Sequence, residues 1–555
     1  MYPLHLILII LISLGISSCS DSNKTPPILE FTRAPIIQSN PNPAAPMVAI
    51  VTFQPNLKVT TTITASSGKN QFSVSFDASR NPAMGLPVIG FQPEQNYDVF
   101  VTIKDAHGNE VKSDTLTFQS PSLPVHPAEF PGIKVGRVDV SKAEPGYRLF
   151  NPRRRIPRET QLGNDEELRF GESFGMLVMV DTEGNPVWYY QTGTRIAGFS
   201  YQKNGHIFYV TADFRLVEID LLGNTVRSWY ASQRPQGKDN GIPVDVLTFH
   251  HDADLMANGN IIALSSEKRI LPNYYTSEYD ENAPRKEQSV MGDRIVEFTP
   301  EGKIIWDWKA FDHLPAERIG FETFSTYWER RSFPGTIDWS HANEVTKLED
   351  GSVMVNFRYQ SAIVNLDGDT GEVRWIFGEP SGWSPELESK LIKLEGDARW
   401  PWHQHAPLFT ERGTLLMFDN GNYRARPFEQ PTPVAETWSR AVEYEVDFEN
   451  FTARQIWTSE RDDEDKYVTI AMGNASETPT KNNLLVGYGA IVDPDRVSEM
   501  TWVNQAQFDQ MTRCIEYTRS SPAEIVWELE LVPTGHEPKI GWNVFGCKII
   551  PELKL

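Results

Sequence analysis

Cysteine is scarce in this chain: three in 555 residues, at Cys19, Cys514 and Cys547. That excludes a disulfide-stapled scaffold and every metal motif built on clustered thiolates. There is no Gly-rich phosphate loop and no His-Glu-x-x-His pair, so a nucleotide-bound donor has no obvious cradle and a helical zinc site no ligands. Basic charge is also in deficit. Lys and Arg number 52 against 74 Asp and Glu, a formal net charge of −22. Such a balance disfavours nonspecific binding to nucleic acid. Long apolar runs are missing except at one end, where Leu4 to Ile16 is too short to span a bilayer comfortably. Ser17-Ser18-Cys19 follows it, as in a bacterial lipobox. Residues 1–18 are therefore expected to be a lipoprotein-type signal peptide, with Cys19 as a lipid-modified N-terminus and polar, Pro-rich residues 19–44 as a tether. The implied location is the periplasm, with membrane contact only through the lipid. Cys514 and Cys547 stand apart from the histidine-bearing segments described below; whether they pair stays open.

What is present suits many short strands joined by turns: 11% aromatic residues, 15 Trp, 39 Pro and 37 Gly. Between residues 45 and 121, runs such as Gln71-Phe-Ser-Val-Ser-Phe and Tyr97-Asp-Val-Phe-Val-Thr-Ile alternate apolar and polar residues, predicting a small immunoglobulin-like β-sandwich. Residues 122–170 are expected as a linker leading into a larger unit. From 171 to 555 a repeat emerges: a turn, then an apolar run centred on a tryptophan, at Trp188, Trp229, Trp306, Trp375, Trp457 and Trp527. Inner turns such as Asn204-Gly205, Asn258-Gly259, Asp350-Gly351 and Arg412-Gly413 fall between them. The fold predicted is all-β, a six-bladed β-propeller behind the sandwich. Tryptophan spacings of 41 to 82 residues place long insertions at 272–294, 311–338 and 380–399, where loops build a site at one mouth.

Within the repeat, one histidine recurs. His251, His341 and His405 each stand seven to nine residues before a tight turn, at the start of an inner strand. Inner strands line the axis of a propeller, so the three imidazoles are expected to meet at one mouth. Arg358 and Asn420 end the strands that return to that mouth, and Asn343 lies two residues beyond His341. Strand alternation predicts that His403 shares a face with His405, while His250 turns away from His251. A lone buried histidine is more often a hydrogen-bonded core residue, but three at matching stations with an arginine and amides suit a small group bearing anionic oxygens. Tyr359, Phe357, Trp400 and Trp402 are candidates to sandwich an aromatic ring, or core residues.

At these residues the chain resembles the bacterial arylsulfate sulfotransferases. The resemblance is carried by His251-Asp252 with Asn258-Gly259, by Asp338-Trp-Ser-His341-Ala-Asn343, by Asn356-Phe-Arg358-Tyr-Gln360, and by Gln404-His405 leading to Phe418-Asp-Asn-Gly421. It implies a periplasmic enzyme that moves a sulfuryl group from a phenolic sulfate donor to a phenolic acceptor, without a nucleotide donor or other cofactor, by a ping-pong route. His405 then matches the transiently sulfated histidine; His251, His341, Asn343 and Arg358 match its surroundings, with His403, Tyr359 and Asn420 as further substrate contacts. The family's closely spaced cysteine pair is missing here. No metal is expected. Two other readings stay open: a histidine cluster that holds a metal, and a non-catalytic propeller that scaffolds partners. The sequence also leaves room for a homodimer.

Overall fold

The fourth strand of each blade carries one of the recurring tryptophans, and the computed structural model shows why the residue recurs. It describes residues 27–68, 70–156, 164–461, 466–533 and 540–555; the expected signal peptide, Cys19 and His536 lie outside them. The indole N–H of Trp188 donates to the Leu221 carbonyl in the next blade's turn at 2.9 Å. Trp229 does the same to Pro300 at 2.8 Å and Trp527 to Thr182 at 2.8 Å. A buried indole needs a partner for its one donor, and the neighbouring turn supplies it. In the third blade this staple is Trp308, bonded to Gly371 at 3.0 Å, rather than the predicted Trp306, which is only half-buried.

Six sheets, each built on four antiparallel strands, make the propeller. Blade 1 combines Gly541–Ile550, Tyr147–Arg155, Gly175–Val180 and Pro186–Thr192. The inner strands of blades 2 to 6 are Ile196–Tyr201, Ala253–Leu255, Ala342–Lys347, His405–Phe409 and Asn474–Glu477. Each touches the next, and Asn474–Glu477 and Ile196–Tyr201 both touch Gly541–Ile550, so the ring closes. Closure rests on the last strand of the chain filling the innermost place of the first blade. A buried ion pair, Arg148 to Glu516 at 2.8 Å with both side chains fully buried, ties blade 1 to blade 6.

Two domain boundaries differ from expectation. Residues 122–170 are more than a linker: Gly132–Val138 adds an outermost strand to blade 6, and Tyr147–Arg155 is the second strand of blade 1. Likewise Phe31–Ser39, placed in the tether, is the first strand of the sandwich, pairing with Ala49–Pro55. Leu29, Phe31 and Ile37 pack onto the sandwich core, which draws this segment out of the solvent. The sandwich then sets a three-stranded sheet against a five-stranded one. It rests on blades 1 and 2, with Asn40 donating to the Leu222 carbonyl at 2.9 Å. Cys514 and Cys547 are buried and unpaired, their thiols in hydrogen-bond contact. Among the described residues no helix is long and apolar enough to cross a membrane.

Candidate active site

A cavity of about 310 Å³ opens on the axis, and His251, His341, His405, Arg358 and Tyr359 all line it. The His251 and His341 rings lie 4.6 Å apart, centroid to centroid. Tyr359 stacks on His341 at 4.3 Å and Tyr327 on His251 at 5.5 Å. Phe545, from the closing C-terminal strand, stands 6.2 Å from His251 and 6.5 Å from His405. His405 and Phe545 also line a second cavity of about 250 Å³.

The three imidazoles are held in defined orientations by their second nitrogens. His405 Nδ1 faces Asn420 Oδ1 at 2.7 Å. Asn420 gives its Nδ2 hydrogens to the carbonyls of Thr469 and Met472, both at 3.0 Å. Its oxygen must therefore accept from His405, which puts the proton on Nδ1 and the lone pair on Nε2. The backbone N–H of Met472 meets that lone pair at 3.2 Å. His251 Nδ1 lies 2.9 Å from His250 Nδ1. His250 gives its Nε2–H to the Ser265 carbonyl at 2.9 Å, with Asp293 3.2 Å away, so its Nδ1 is the acceptor and His251 the donor. His341 Nδ1 is hydrogen-bonded to Asp338.

Electrostatics keep these rings neutral. Burial first, and then the Arg358 charge, hold His405 down to about 3. Burial likewise holds His341 and His403 well below the usual imidazole value, with Arg358 the next cause. His251 is lowered by burial and then by His341. Burial, followed by the charge of Asp293, pushes the Asp338 carboxyl up to about 8. Arg358 stays charged: burial opposes this, but Glu322, which its Nη1 contacts, outweighs it. Its Nη2 donates to the Ile470 carbonyl at 3.0 Å, while the buried Nε has no partner.

A family model described as arylsulfotransferase (ASST) matches residues 154–531, and one described as the arylsulfotransferase Ig-like domain matches residues 36–121. The chain belongs to the arylsulfotransferase family. Among its relatives, the arylsulfate sulfotransferase AssT of Lelliottia amnigena is 22% identical over 495 residues, covering 74% of this chain and 78% of that one. The arylsulfate sulfotransferase AssT of Escherichia coli O6:H1 is 27% identical over 195 residues, 32% of each chain. Among solved structures, a Bacteroides caccae protein of unknown function is 12% identical and covers 73% of this chain and 98% of its own, with a TM-score of 0.36.

In this arylsulfotransferase, several predicted contacts fall elsewhere. Asn343 does not line the cavity that holds Arg358. It is fully buried, its Nδ2 donating to the Gln404 carbonyl at 3.0 Å and its oxygen accepting from Asn356; it fixes the backbone between His403 and His405 and borders the second cavity. His403 also lies off the cavity, between Tyr359 at 6.0 Å and Tyr423 at 5.1 Å. His250 turns toward His251, not away from it. The cause is backbone conformation: His251, His341 and His403 have φ of 51°, 50° and 53°. A left-handed residue breaks the strand alternation on which the facing of His250 and His403 was predicted, at about 1–2 kcal/mol each. Asn420 orients His405 and does not line the cavity. Phe357 is a core residue against Trp308, and Trp400 is half-buried and packs onto the core at Phe377.

The sequence motif Asp338-Trp-Ser-His341 contains Asp338 without assigning it a role, and sequence reasoning missed Asp293, Tyr327, Glu322 and Phe545. Asp338 was visible in the Asp-x-x-His spacing, and the insertion at 311–338 was marked as site-building. The string Gly171-Glu-Ser-Phe-Gly175 also fits a serine-nucleophile pattern. Here it leads from a helix, Asn164–Glu172, into a strand, Gly175–Val180, the reverse of the strand-to-helix elbow that exposes such a serine. Among the described residues, no three His, Cys, Asp or Glu side chains are arranged to hold a metal ion.

Proposed function

We propose that this enzyme transfers a sulfuryl group between phenols by a ping-pong route through a sulfated His405. The observation that carries it is the hydrogen-bond arrangement that leaves His405 neutral, with its lone pair on the Nε2 side. In the first half, Nε2 attacks the sulfur of an aryl sulfate; the N–S bond forms as the S–O bond to the ring breaks. The departing phenolate takes the proton shared by His341 and Asp338, whose raised carboxyl lets the pair carry one at neutral pH. In the second half, an acceptor phenol returns a proton to that pair as its oxygen attacks sulfur and the N–S bond breaks. His251, stacked on Tyr327 and edge-on to His341, shapes the same wall. Arg358, a charged residue of the cavity wall, faces the sulfuryl oxygens. The Met472 N–H that caps Nε2 is released to one of those oxygens.

The test is a donor–acceptor assay with 4-nitrophenyl sulfate and phenol, followed by mass measurement after donor alone. One SO₃ group on the peptide holding His405 is expected, absent in His405→Asn along with turnover. An unmodified peptide in an active enzyme would refute the covalent route.

The periplasmic lipoprotein assignment is proposed from the sequence: the apolar run before Ser17-Ser18-Cys19 supports it. Metabolic labelling with palmitate, lost in Cys19→Ala, tests it. Self-association belongs to the same reading, and light scattering distinguishes 63.0 kDa from a multiple of it.

A further inference from the structure

The chain carries a net charge of −22, yet the cavity wall is rich in arginine. Besides Arg358, the guanidinium-bearing residues Arg153, Arg155, Arg195, Arg330 and Arg331 line it. Arg153 and Arg155 share one face of the blade 1 strand, Arg195 opens blade 2, and Arg330 and Arg331 come from the insertion at 311–338. Around Arg153, Arg195 and Arg331 the carboxylates are fewer than the guanidiniums. Glu322 is engaged by Arg358. Glu172 serves two arginines, Arg331 at 3.1 Å and Arg195 at 3.7 Å. Arg195 is 8% exposed and its Nε is buried without a partner. No hydrogen bond or salt bridge joins the Arg153 guanidinium to a described residue; burial, then Arg195, push it down to about 9. Three guanidiniums, those of Arg153, Arg195 and Arg331, stand against the one carboxylate of Glu172 and leave positive charge in surplus.

Arg195 and Arg331 are buried and Arg153 is half-buried beside them; cations crowded away from water without matching counter-charges are costly, and a fold keeps them where a ligand supplies the missing anion. The sulfuryl group of an aryl sulfate brings one negative charge, which Arg358 and the histidines meet. A different anion must answer the surplus. We infer that Arg153 and Arg195 receive a second anionic group of the substrate, so that the preferred phenolic sulfates are dianions bearing a carboxylate, phosphate or second sulfate on the ring. The guanidinium fork suits each of these. A cavity of about 310 Å³ is of the size that holds a ring with two such groups. Tyr327, Tyr359 and Phe545 supply the ring-facing walls between the two charged regions. This inference rests on the sulfotransfer reading for the identity of the first anion.

The test compares affinities of the full chain for two classes of unreactive ligand, benzenesulfonate and the 3- and 4-sulfobenzoates, by calorimetry. The better sulfobenzoate is expected to bind at least tenfold more tightly, with the ratio shrinking in 0.5 M salt. In Arg153→Gln and in Arg195→Gln the ratio should fall toward one. Equal affinities in the unaltered protein, or a ratio that survives in both variants, would overturn the inference. Binding is read without turnover: sulfobenzoate selectivity in a protein with no sulfotransfer would sink the reaction and keep the arginine wall, and the opposite result would do the reverse. The matching kinetic comparison sets 4-carboxyphenyl sulfate against 4-nitrophenyl sulfate as donors.

Discussion

Asn420 Oδ1 receives the Nδ1–H of His405 at 2.7 Å, fifteen residues away along the chain. The two lie on either arm of one hairpin, His405 opening the inner strand and Asn420 following its partner, Leu415–Asp419. Because both Asn420 hydrogens are engaged by Thr469 and Met472, the amide cannot flip without losing two bonds. Asn420→Ala should therefore lower transfer by about 10²-fold, the scale on which a misheld imidazole loses its role. The protein should stay folded, and sulfated His405 should form slowly rather than vanish. Pre-steady-state release of nitrophenolate measures this; a normal burst rate would detach Asn420 from the chemistry.

Arg358→Ala removes a buried cation next to the reacting centre and leaves Glu322 facing the cavity. A loss of about 3 kcal/mol in transition-state stabilisation, roughly 10²-fold in kcat/KM, is expected. Arg358→Lys keeps the charge without the fork and should fall between the two. Equal rates in all three proteins would remove Arg358 from sulfuryl binding.

The pH profile follows from two opposite shifts. His405, held to about 3, is already unprotonated at pH 5, so its limb lies below the working range. Asp338, pushed up to about 8, loses its proton above that value, and the pair with His341 then has none to give. Turnover of donors with poor leaving phenols should be level from pH 5 to 7.5 and fall about tenfold per unit beyond pH 8. Asp338→Asn should abolish that upper limb. A profile that instead declines from pH 7 toward 5 would mean that an imidazole titrates near its ordinary value.

Glu516→Ala tests the closure of the ring. It strands the fully buried Arg148 without its counter-charge and also frees the Glu144 backbone N–H and Asn483 Nδ2 that Glu516 accepts from. Loss of one partner from such a pair costs about 3–5 kcal/mol. Chemical denaturation should show that drop, and the double change Arg148→Met, Glu516→Leu should recover part of it. An unchanged unfolding midpoint in the single variant would show that the ion pair does not secure blade 1 to blade 6.

Much of the architecture is a local matter, and local matters are written in spacing. Strands that alternate with a period of two, turns at Asn-Gly and Asp-Gly, and one tryptophan per unit require only short-range chemistry, and together they specify six blades and a sandwich. The stations of His251, His341 and His405 follow from the same register, since inner strands face the axis whatever their neighbours do. Tertiary structure alone decided the rest. That Gly541–Ile550 closes the first blade, that His250 turns back to bond His251, that Asn343 is taken up by Gln404, and that scattered arginines converge on one wall are contacts between segments or φ values with no sequence period. A left-handed residue at a strand's start reverses which side chain faces inward, and a guanidinium's partner is known only when the chain has brought it near.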